Sequence, residues 1–274
     1  MVARANEDIE IDLILEAIFK KYGYDFRNYA RSSIRRRILH ALGMSECKNI
    51  SAMQHQLLHD RDFFDSVFFT LSITTSEMFR DPDFFKAIRE QVVPILRTYP
   101  SVKIWHAGCS TGEEVYSMAI VLAEEGLLDR TLFYGTDINP RALKKAREGI
   151  FPTGDLQKFT ANYHAAGGKE PFSKYYQSDD HFALFDGPIK KNLVFGDHNL
   201  VTDGVFSETQ MVVCRNVLIY FNDELREQVL QKFAASLCRK GILCLGSKES
   251  LRFSKQSNDF ESISESDRIY RRRY

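Results

Sequence analysis

The stretch WHAGCSTGEEVYS, at Trp105–Ser117, decides the fold. It follows an apolar run, makes a turn of small residues over Gly108–Gly112 and continues into a helical pattern that starts with Glu113 and Glu114. A strand, a glycine turn and a helix in this order are typical of the ligand-binding edge of a parallel sheet, where helix N-termini often hold phosphates. Two glutamates would repel a phosphate there, so the turn indicates a ligand with hydroxyl groups or a positive charge.

The turn matches neither of two common nucleotide-binding fingerprints. It lacks the lysine of a P-loop, and its glycines do not have the G-x-G-x-x-G spacing of a nicotinamide dehydrogenase. A structural role is the alternative, in which Thr111 is the N-cap of the helix and Glu114, three residues later, completes a capping box. The turn by itself leaves the ligand-binding role and the capping role open.

The second predicted strand, TLFYGTDI, ends in Asp137, which lies 25 residues after Gly112. An acidic residue at this place is positioned to bind ribose hydroxyls. The alternative is that Asp137 and Asn139 cap the next helix, which has Pro140 in its first turn. Because the first turn already disfavours phosphate, we favour the ribose role. A ligand with a ribose and a cation but no phosphate is S-adenosylmethionine.

Hydrophobic periodicity divides the chain near residue 100. Residues 7–98 have helical spacing, for example Ile11, Ile14 and Ile18, and Asp81–Pro82 is a helix-start signal. After residue 100, short apolar runs alternate with helices, which predicts a parallel sheet with helices on both faces. The segment DFESISESDRIYRRRY predicts a closing hairpin with an antiparallel strand.

Composition limits the classes of function. The 274 residues carry no net charge and are 44% hydrophobic, so no overall field favours nucleic acid or a membrane surface. The five cysteines are scattered without zinc spacing, and no apolar run reaches the roughly 18 residues of a membrane span. We expect a cytoplasmic, soluble protein without a metal.

Five blocks together resemble one family, the CheR chemotaxis receptor glutamate O-methyltransferases. The blocks are TTSEMFRDPDFF (74–85), WHAGCSTGEEVYSMAI (105–120), YGTDINPRALKKAREGIF (134–151), VVCRNVLIYF (212–221) and LGSKES (245–250). The resemblance implies an α/β fold, with a Rossmann-like S-adenosylmethionine-dependent methyltransferase sheet of seven mostly parallel strands. It also implies an N-terminal all-helical domain (1–78), a linker helix (79–99), and a methyltransferase domain (100–274) with a small β-subdomain insertion at about 165–192.

The resemblance also implies the residues of the site. Asp137 is expected on the ribose, Glu114 at the methionyl or ribose end, and Asn199 with Leu200 beside the adenine. The full set expected to bind the cofactor, which leaves as S-adenosylhomocysteine, is Thr74, Ser76, Arg80, Glu114, Asp137, Asn199, Leu200, Arg215 and Asn216. In the family Thr74 is often asparagine and Ser76 often threonine, so hydrogen-bonding capacity is retained at both positions.

The implied reaction methylates a glutamate side chain of a receptor. A glutamate carboxylate, with an ordinary pKa of about 4.3, is already ionised at neutral pH and needs no general base. Arg80 and Tyr220 are the expected catalytic residues: Arg80 could hold the methionyl carboxylate or the substrate glutamate, and Tyr220 could orient the incoming carboxylate. The alternatives are an ion pair of Arg80 with Asp81 or Asp83, and core packing of Tyr220.

A basic segment is the candidate docking surface. Between Lys20 and Arg37 the chain has seven basic residues and one acid, and Arg27, Arg31 and Arg35, at i, i+4 and i+8, are predicted to form a stripe along one helix. Such a stripe is usually a solvated face, but it could attract the acidic helical bundle of a methyl-accepting chemotaxis receptor. We expect a monomer without membrane insertion. The segment Tyr175–Phe195 is shorter than in members that bind a receptor-tail peptide, so no such tethering is predicted.

Two other classes of function compete with this one. A nucleic-acid methyltransferase would carry a signature such as [DN]-P-P-[YF] where this chain has CRNVLIYF, and the basic stripe belongs to no recognised nucleic-acid-binding motif. A non-catalytic module that only binds S-adenosylmethionine is disfavoured because Arg80, Glu114, Asp137 and Tyr220 are all present.

Overall fold

The computed structural model describes residues 2–72, 75–185 and 187–274. Contacts divide the chain into two compact units. A helical unit comprises Met1–Ile73 and Leu218–Val229, and a sheet unit comprises Thr74–Val217 and Leu230–Tyr274. The domain limits expected from the sequence stay predictions. No helix in the described part of the chain is long and apolar enough to cross a bilayer.

The helical unit is built on α1 (Val2–Tyr22), α2 (Arg31–Gly43), α3 (Ile50–His59) and α4 (Arg61–Leu71). The apolar positions that recur along α1 are buried as their spacing predicts, since Ile11, Ile14 and Ile18 have no exposed surface. Two side chains fix where the next helices begin: Asn49 accepts the Ala52 N–H and Asp60 accepts the Phe63 N–H, at 2.8 and 3.0 Å.

The described residues of the sheet unit form a seven-stranded sheet of order β6-β2-β1-β7-β8-β10-β9 and a three-stranded sheet of order β3-β5-β4. Neighbouring strands from β6 through β8 are parallel, whereas β10 is antiparallel to β8 and to β9. The predicted mostly parallel sheet, its closing hairpin and the small β-subdomain are therefore confirmed. The strands are β1 (Val102–Ala107), β2 (Thr131–Asp137), β3 (Ile150–Pro152), β4 (Gln177–Ser178), β5 (Phe182–Leu184), β6 (Leu193–Asp197), β7 (Thr209–Cys214), β8 (Leu237–Leu245), β9 (Phe260–Ser264) and β10 (Ile269–Arg272).

The remaining helices precede, connect or follow these strands. The first of them is broken: α5 (Pro82–Ala87) continues through a π-helical turn (Ile88–Val92) into α6 (Val93–Leu96). The others are α7 (Glu113–Glu124), α8 (Pro140–Glu148), α9 (Leu156–Ala165) and α10 (Asp223–Ser236), the last of which begins in the helical unit.

Strand β1 lies at the topological switch point of the sheet. The chain runs from β1 outward to β2 and β6 on one side and then continues through β7 and β8 on the other side. Ile104 and Trp105 have no exposed surface, because a central parallel strand is covered on both faces. The carboxyl ends of β1, β2 and β7 therefore meet at one edge, where ligands of such sheets bind.

The turn after β1 depends on glycine at position 108. Gly108 has φ +78°, and a Cβ placed there would lie 2.6 Å from Cγ2 of Val217. Gly126, after α7, has a similar φ of +70° but no atom within 4 Å of a Cβ. The two glycines therefore separate the cost of backbone strain from the cost of a steric contact.

We expect Gly108→Ala to lower the free energy of unfolding by about 2–4 kcal/mol, because it combines a left-handed φ with overpacking against Val217. Gly126→Ala is the matched control and should cost only about 1 kcal/mol. Urea denaturation followed by circular dichroism measures both. Equal costs for the two variants would contradict a contact between the turn and Val217.

Candidate functional site

The turn after β1 is hydrogen-bonded to the end of β2. The backbone N–H groups of Gly108 and Cys109 both donate to the Thr136 carbonyl, at 2.8 and 2.9 Å. Asp137 completes the link, since one of its carboxylate oxygens accepts the Ser110 N–H and the other accepts the Asn139 N–H, each at 2.9 Å. The carboxylate thus fixes two loops at the switch point.

Asp137 is not the cap of α8. Asn139 has that role, and its side-chain oxygen accepts the N–H groups of Arg141 and Ala142. Burial raises the pKa of Asp137, and the charge of Asp197 at the end of the adjacent strand β6 adds to this, while the backbone hydrogen bonds oppose it. The helix-capping alternative is therefore wrong for Asp137 and correct for Asn139.

The capping-box alternative at α7 is also wrong. The N-cap is Gly112, which has a left-handed backbone (φ 96°) and no side chain that could cap the helix. Instead Glu114 Oε1 lies 3.0 Å from Nδ1 of the buried His106, and Oε2 accepts a hydrogen bond from Arg215 Nη1 at 3.0 Å. Burial raises the pKa of Glu114, but His106 and Arg215 outweigh it and hold the pKa below its ordinary value. Glu114 is thus an ionised group with 19% of its side chain exposed.

Glu113 points elsewhere and has a different environment. It is buried, and its two carboxylate oxygens accept hydrogen bonds from the Thr111 hydroxyl at 2.7 and 2.8 Å. Burial raises its pKa, which hydrogen bonds from Thr111 and Ser76 partly counteract. Ser76, expected to bind the cofactor, is thus a partner of Glu113 in this structure.

Three carboxylates surround the middle of the turn. The thiol of Cys109 is buried, and its pKa is raised well above the ordinary value by burial and then by the charges of Asp137, Glu113 and Glu114. A phosphate would meet this negative potential unfavourably, whereas a sulfonium or ammonium cation and ribose hydroxyl donors would fit it. The carboxylates at the switch point, which accept hydrogen bonds and carry negative charge, therefore suit S-adenosylmethionine.

Arg215, at the end of β7, is a buried junction of the site. Its Nη2 donates to Asp81 Oδ2 at 2.6 Å, its Nη1 donates to Glu114, and both nitrogens reach the Arg80 carbonyl at 3.3–3.4 Å. The guanidinium also lies over the ring of Phe84, 4.0 Å from its centroid. Only 2% of the side chain is exposed, so Arg215 acts chiefly on its protein neighbours.

Arg80 is not paired with its acidic neighbours, contrary to the structural alternative. Asp81 pairs with Arg215, and Asp83 pairs with Lys86 at 3.0 Å. Among the described residues, no ion pair of the half-buried Arg80 guanidinium is found. The charge of Arg80 is therefore not neutralised by either acidic neighbour and is available to a ligand.

The ends of β7 and β8 are joined by Glu249, which sequence reasoning did not identify. Its carboxylate accepts the N–H groups of Asn216, Val217 and Gly246, at 3.1, 2.9 and 2.6 Å. Asn216 has φ +61°, a conformation that asparagine tolerates better than most residues. The acid in LGSKES and the histidine in WHAG were both visible in the sequence, but nothing there indicated their partners.

Asn199 and Leu200 lie in the loop after β6, at the same edge of the sheet. The loop is closed by its own hydrogen bonds: Asn199 donates its N–H to Asp203 and accepts the Val201 N–H, at 2.8 and 2.9 Å. Leu200 is buried, and its carbonyl accepts a hydrogen bond from Lys232 at 2.7 Å. These two residues thus belong to the sheet unit with Ser76, Arg80, Glu114, Asp137, Arg215 and Asn216.

The other predicted residues lie elsewhere. Tyr220 belongs to the helical unit, where the Arg37 guanidinium lies 4.3 Å from its ring centroid and its carbonyl accepts the Ala30 N–H at 2.8 Å. Its catalytic role stays a prediction. Thr74, also expected to bind the cofactor, lies outside the described residues.

The prediction that the basic stripe lies along one helix is wrong, because Arg31 and Arg35 are on α2 whereas Arg27 lies in the turn before it. All three arginines are already ion-paired within the helical unit. Arg27 pairs with Asp25 at 2.8 Å and with Glu16 at 3.0 Å. The other two arginines of the stripe pair with acids of α1: Arg31 with Asp8 and Asp12, and Arg35 with Glu7. The docking role of the stripe stays a prediction, but its charge is more nearly balanced than the sequence count indicates.

Comparison with known proteins agrees with this geometry. Residues 9–72 match the family model described as CheR methyltransferase, all-alpha domain, and residues 74–269 match CheR methyltransferase, SAM binding domain. A Pseudomonas putida protein provisionally named methyltransferase Cher3 is 53% identical over 272 residues, covering 99% of this chain and 100% of that protein. The chemotaxis protein methyltransferase of Listeria monocytogenes is 28% identical over 248 residues, covering 89% and 92% of the two chains.

Among solved structures, the magnesium protoporphyrin IX methyltransferase of Synechocystis with bound S-adenosylmethionine shares 19% identity and covers 77% of this chain and 91% of that one. Its TM-score is 0.36, so the assignment rests on the sequence matches. The matched models cover nearly the whole chain, and the larger one corresponds to the unit that contains the carboxylate cluster. The chain belongs to the CheR methyltransferase family, whose larger domain binds S-adenosylmethionine.

Proposed function

We propose that this protein transfers a methyl group from S-adenosylmethionine to glutamate side chains in the cytoplasmic domain of a chemoreceptor, forming glutamyl methyl esters. The observation that carries the proposal is the pairing of opposite charges at one edge of the sheet. Carboxylates of Glu114 and Asp137 lie at the turn after β1. The backbone carbonyl of Arg80, whose side chain has no ion pair among the described residues, contacts the Arg215 guanidinium that pairs with Glu114. Such an edge suits a cationic methyl donor together with an anionic acceptor.

The cofactor residues have distinct proposed roles. Asp137 accepts hydrogen bonds from the ribose hydroxyls, and its backbone contacts hold the carboxylate at the end of β2. Glu114, whose pKa is held below its ordinary value by its contacts with His106 and Arg215, provides negative charge near the methionyl or ribose end. Asn199 and Leu200 line the adenine side. Ser76, Thr74, Arg215 and Asn216 complete the proposed set, with Arg215 acting through Glu114.

The acceptor needs positioning more than activation. S-adenosylmethionine supplies a methyl group on a sulfonium, which makes that carbon electrophilic. A glutamate carboxylate is ionised at neutral pH, so its oxygen can attack without a general base. Correct placement of two reactants can contribute on the order of 7–11 kcal/mol to the lowering of a barrier. We assign Arg80 to holding a carboxylate, through the two-pronged geometry of a guanidinium, and Tyr220 to orienting the acceptor.

The proposed partner is the acidic helical bundle of a methyl-accepting chemotaxis receptor in the cytoplasm. The relative from Listeria monocytogenes is named a chemotaxis protein methyltransferase, which supports this choice. Docking on Arg27, Arg31 and Arg35 would require the receptor acids to compete with acids of the same helical unit. Each exposed pair contributes roughly 0–1 kcal/mol, so such an exchange is energetically accessible. We expect the enzyme to act as a monomer.

The first test is methyl transfer itself. The protein is incubated with labelled S-adenosylmethionine and receptor cytoplasmic fragments, and we expect base-labile label that disappears when the receptor glutamates are replaced by alanine.

Arg80→Ala should lower kcat/KM by about 10–100-fold, since charge-assisted hydrogen bonds contribute roughly 1.5–3 kcal/mol. Lys86→Ala, which removes an exposed cation of α5 paired with Asp83, is the matched control. Label on RNA, or no transfer despite tight cofactor binding, would contradict the proposal.

The second test concerns Asp137. Asp137→Asn should raise the Kd for S-adenosylmethionine at least about 10-fold, while the loss of one backbone contact lowers the free energy of unfolding by about 1–3 kcal/mol. The control is Asp129→Asn, which changes an exposed acid just before β2, at the other end of the strand from Asp137. It should change neither quantity. Isothermal titration calorimetry measures Kd and urea denaturation measures stability. A variant that loses stability but retains cofactor affinity would leave Asp137 with a structural role only.

Affinity for S-adenosylmethionine should also depend on pH through Asp137. Burial and Asp197 raise the pKa of this carboxyl, so on acidification it becomes protonated at a pH above the value of about 3.9 that is ordinary for aspartate. The ionised form is the stronger acceptor for the hydrogen bonds that the ribose hydroxyls donate. Affinity is therefore present at neutral pH and is lost as the pH falls through the raised pKa. Calorimetric Kd values across acidic pH should show this loss in the natural protein and a shallower dependence in Asp137→Asn.

A further inference from the structure

The turn that carries Arg80 has an unusual backbone. Phe79 has φ +52° and Asp81 has φ +56°, so residues in the left-handed region precede and follow Arg80 directly. A left-handed φ is rare for residues other than glycine, and it is especially unfavourable for a bulky side chain such as phenylalanine. Strain of this kind persists only where surrounding contacts fix it, and it is concentrated at functional sites. The contacts that fix this turn are therefore of interest.

The first half of the turn is held by α7. The Phe79 N–H donates to the hydroxyl oxygen of Ser117 at 2.9 Å, and the same hydroxyl donates to the Glu113 carbonyl at 2.7 Å. Ser117 and Phe79 have no exposed surface. The Met78 carbonyl, just before the turn, accepts a hydrogen bond from Asn162 at 3.0 Å. The strained Phe79 is thus bound to the helix that also carries Glu114.

The second half of the turn is held by Arg215. This guanidinium contacts the Arg80 carbonyl and pairs with the Asp81 carboxylate at 2.6 Å, while its other side pairs with Glu114. Asp81 is the N-cap residue of α5, but its side chain accepts no capping hydrogen bond. The carboxylate of Asp81 is therefore directed to Arg215 rather than to the helix that it precedes.

We propose that Asp81 and Ser117 are positioning residues that hold this strained turn, Asp81 through Arg215 and Ser117 through the Phe79 N–H, and thereby aim the Arg80 side chain at a carboxylate in the methyl-transfer site. The proposal rests on the function proposed above for Arg80. If either φ relaxed to a negative value, the direction of the chain on that side of Arg80 would change, and the direction of the Arg80 side chain would change with it. Pre-organising a cation in this way avoids reorganisation when the reactants bind.

The contacts of Arg215 also connect the proposed cofactor-binding acid Glu114 with the turn that carries Arg80. His106, Glu114, Arg215 and Asp81 form a continuous chain of ion pairs and hydrogen bonds from the end of β1 to the turn. Glu114 belongs to the cofactor side of the site, and Arg80 is the cation assigned to a carboxylate. The buried guanidinium of Arg215 therefore contacts both the turn that carries Arg80 and the carboxylate of Glu114.

Asp81→Asn is the informative variant, because asparagine also tolerates a left-handed backbone while the substitution removes the charge that pairs with Arg215. Asp83→Asn is the matched control, since it makes the same chemical change two residues away on an exposed side chain that pairs with Lys86. Hydrogen–deuterium exchange of peptides covering residues 78–85 measures how firmly the turn is held. We expect at least about 10-fold faster exchange in Asp81→Asn and less than about 2-fold change in Asp83→Asn.

A double-mutant cycle with Arg80→Ala then tests whether Asp81 acts through Arg80. Asp81→Asn should lower kcat/KM about 10-fold when Arg80 is present and less than about 2-fold in the Arg80→Ala background. Equal losses in the two backgrounds, or an exchange rate that Asp81→Asn leaves unchanged, would overturn the proposal. If the natural protein methylates no receptor glutamate, the proposed function fails, while the exchange comparison still decides whether Asp81 holds the turn.

Discussion

The ion pair between Arg215 and Glu114 is the interaction on which the rest of the site depends. It joins the residue after β7 to the first turn of α7, which follows β1. Strands β1 and β7 are neighbours at the switch point of the sheet. A guanidinium that is 2% exposed is stable only if nearby groups compensate its lost hydration. Glu114, Asp81 and the Arg80 carbonyl provide that compensation, so the cation determines where the segment after residue 78 must lie.

Two other carboxylates at this edge of the sheet also hold loops together, by accepting backbone N–H groups. Asp137 accepts N–H groups from the loops after β1 and β2, and Glu249 accepts N–H groups from the loops after β7 and β8. Loops at the carboxyl ends of strands would otherwise leave backbone donors without partners. The acids therefore hold the loops at this edge of the sheet, and one of them, Asp137, is the residue proposed to bind the ribose.

The helical unit shows how tertiary structure changes the meaning of a charge pattern. The stripe of Arg27, Arg31 and Arg35 has a strong positive charge in the sequence, because its segment contains one acid among seven basic residues. In the structure, acids of α1 lie against it, and all three arginines have ion-pair partners. An acidic receptor surface would therefore replace existing partners rather than meet unpaired charge, which reduces the net gain on docking.

The sequence by itself determined the class of fold, the buried face of α1, the closing hairpin and the exclusion of a phosphate turn. These features follow from local periodicity and from the chemistry of a few adjacent residues such as Glu113 and Glu114. Only the tertiary structure decided which partner each charged side chain takes. It replaced the capping box of Thr111 and Glu114 with the contacts to His106 and Arg215, and it assigned Asp81 to Arg215 rather than to Arg80. Such partners are distant in the chain and become neighbours only when the sheet has formed. A buried charge is stable only beside such a partner, so local sequence patterns cannot predict the pairing.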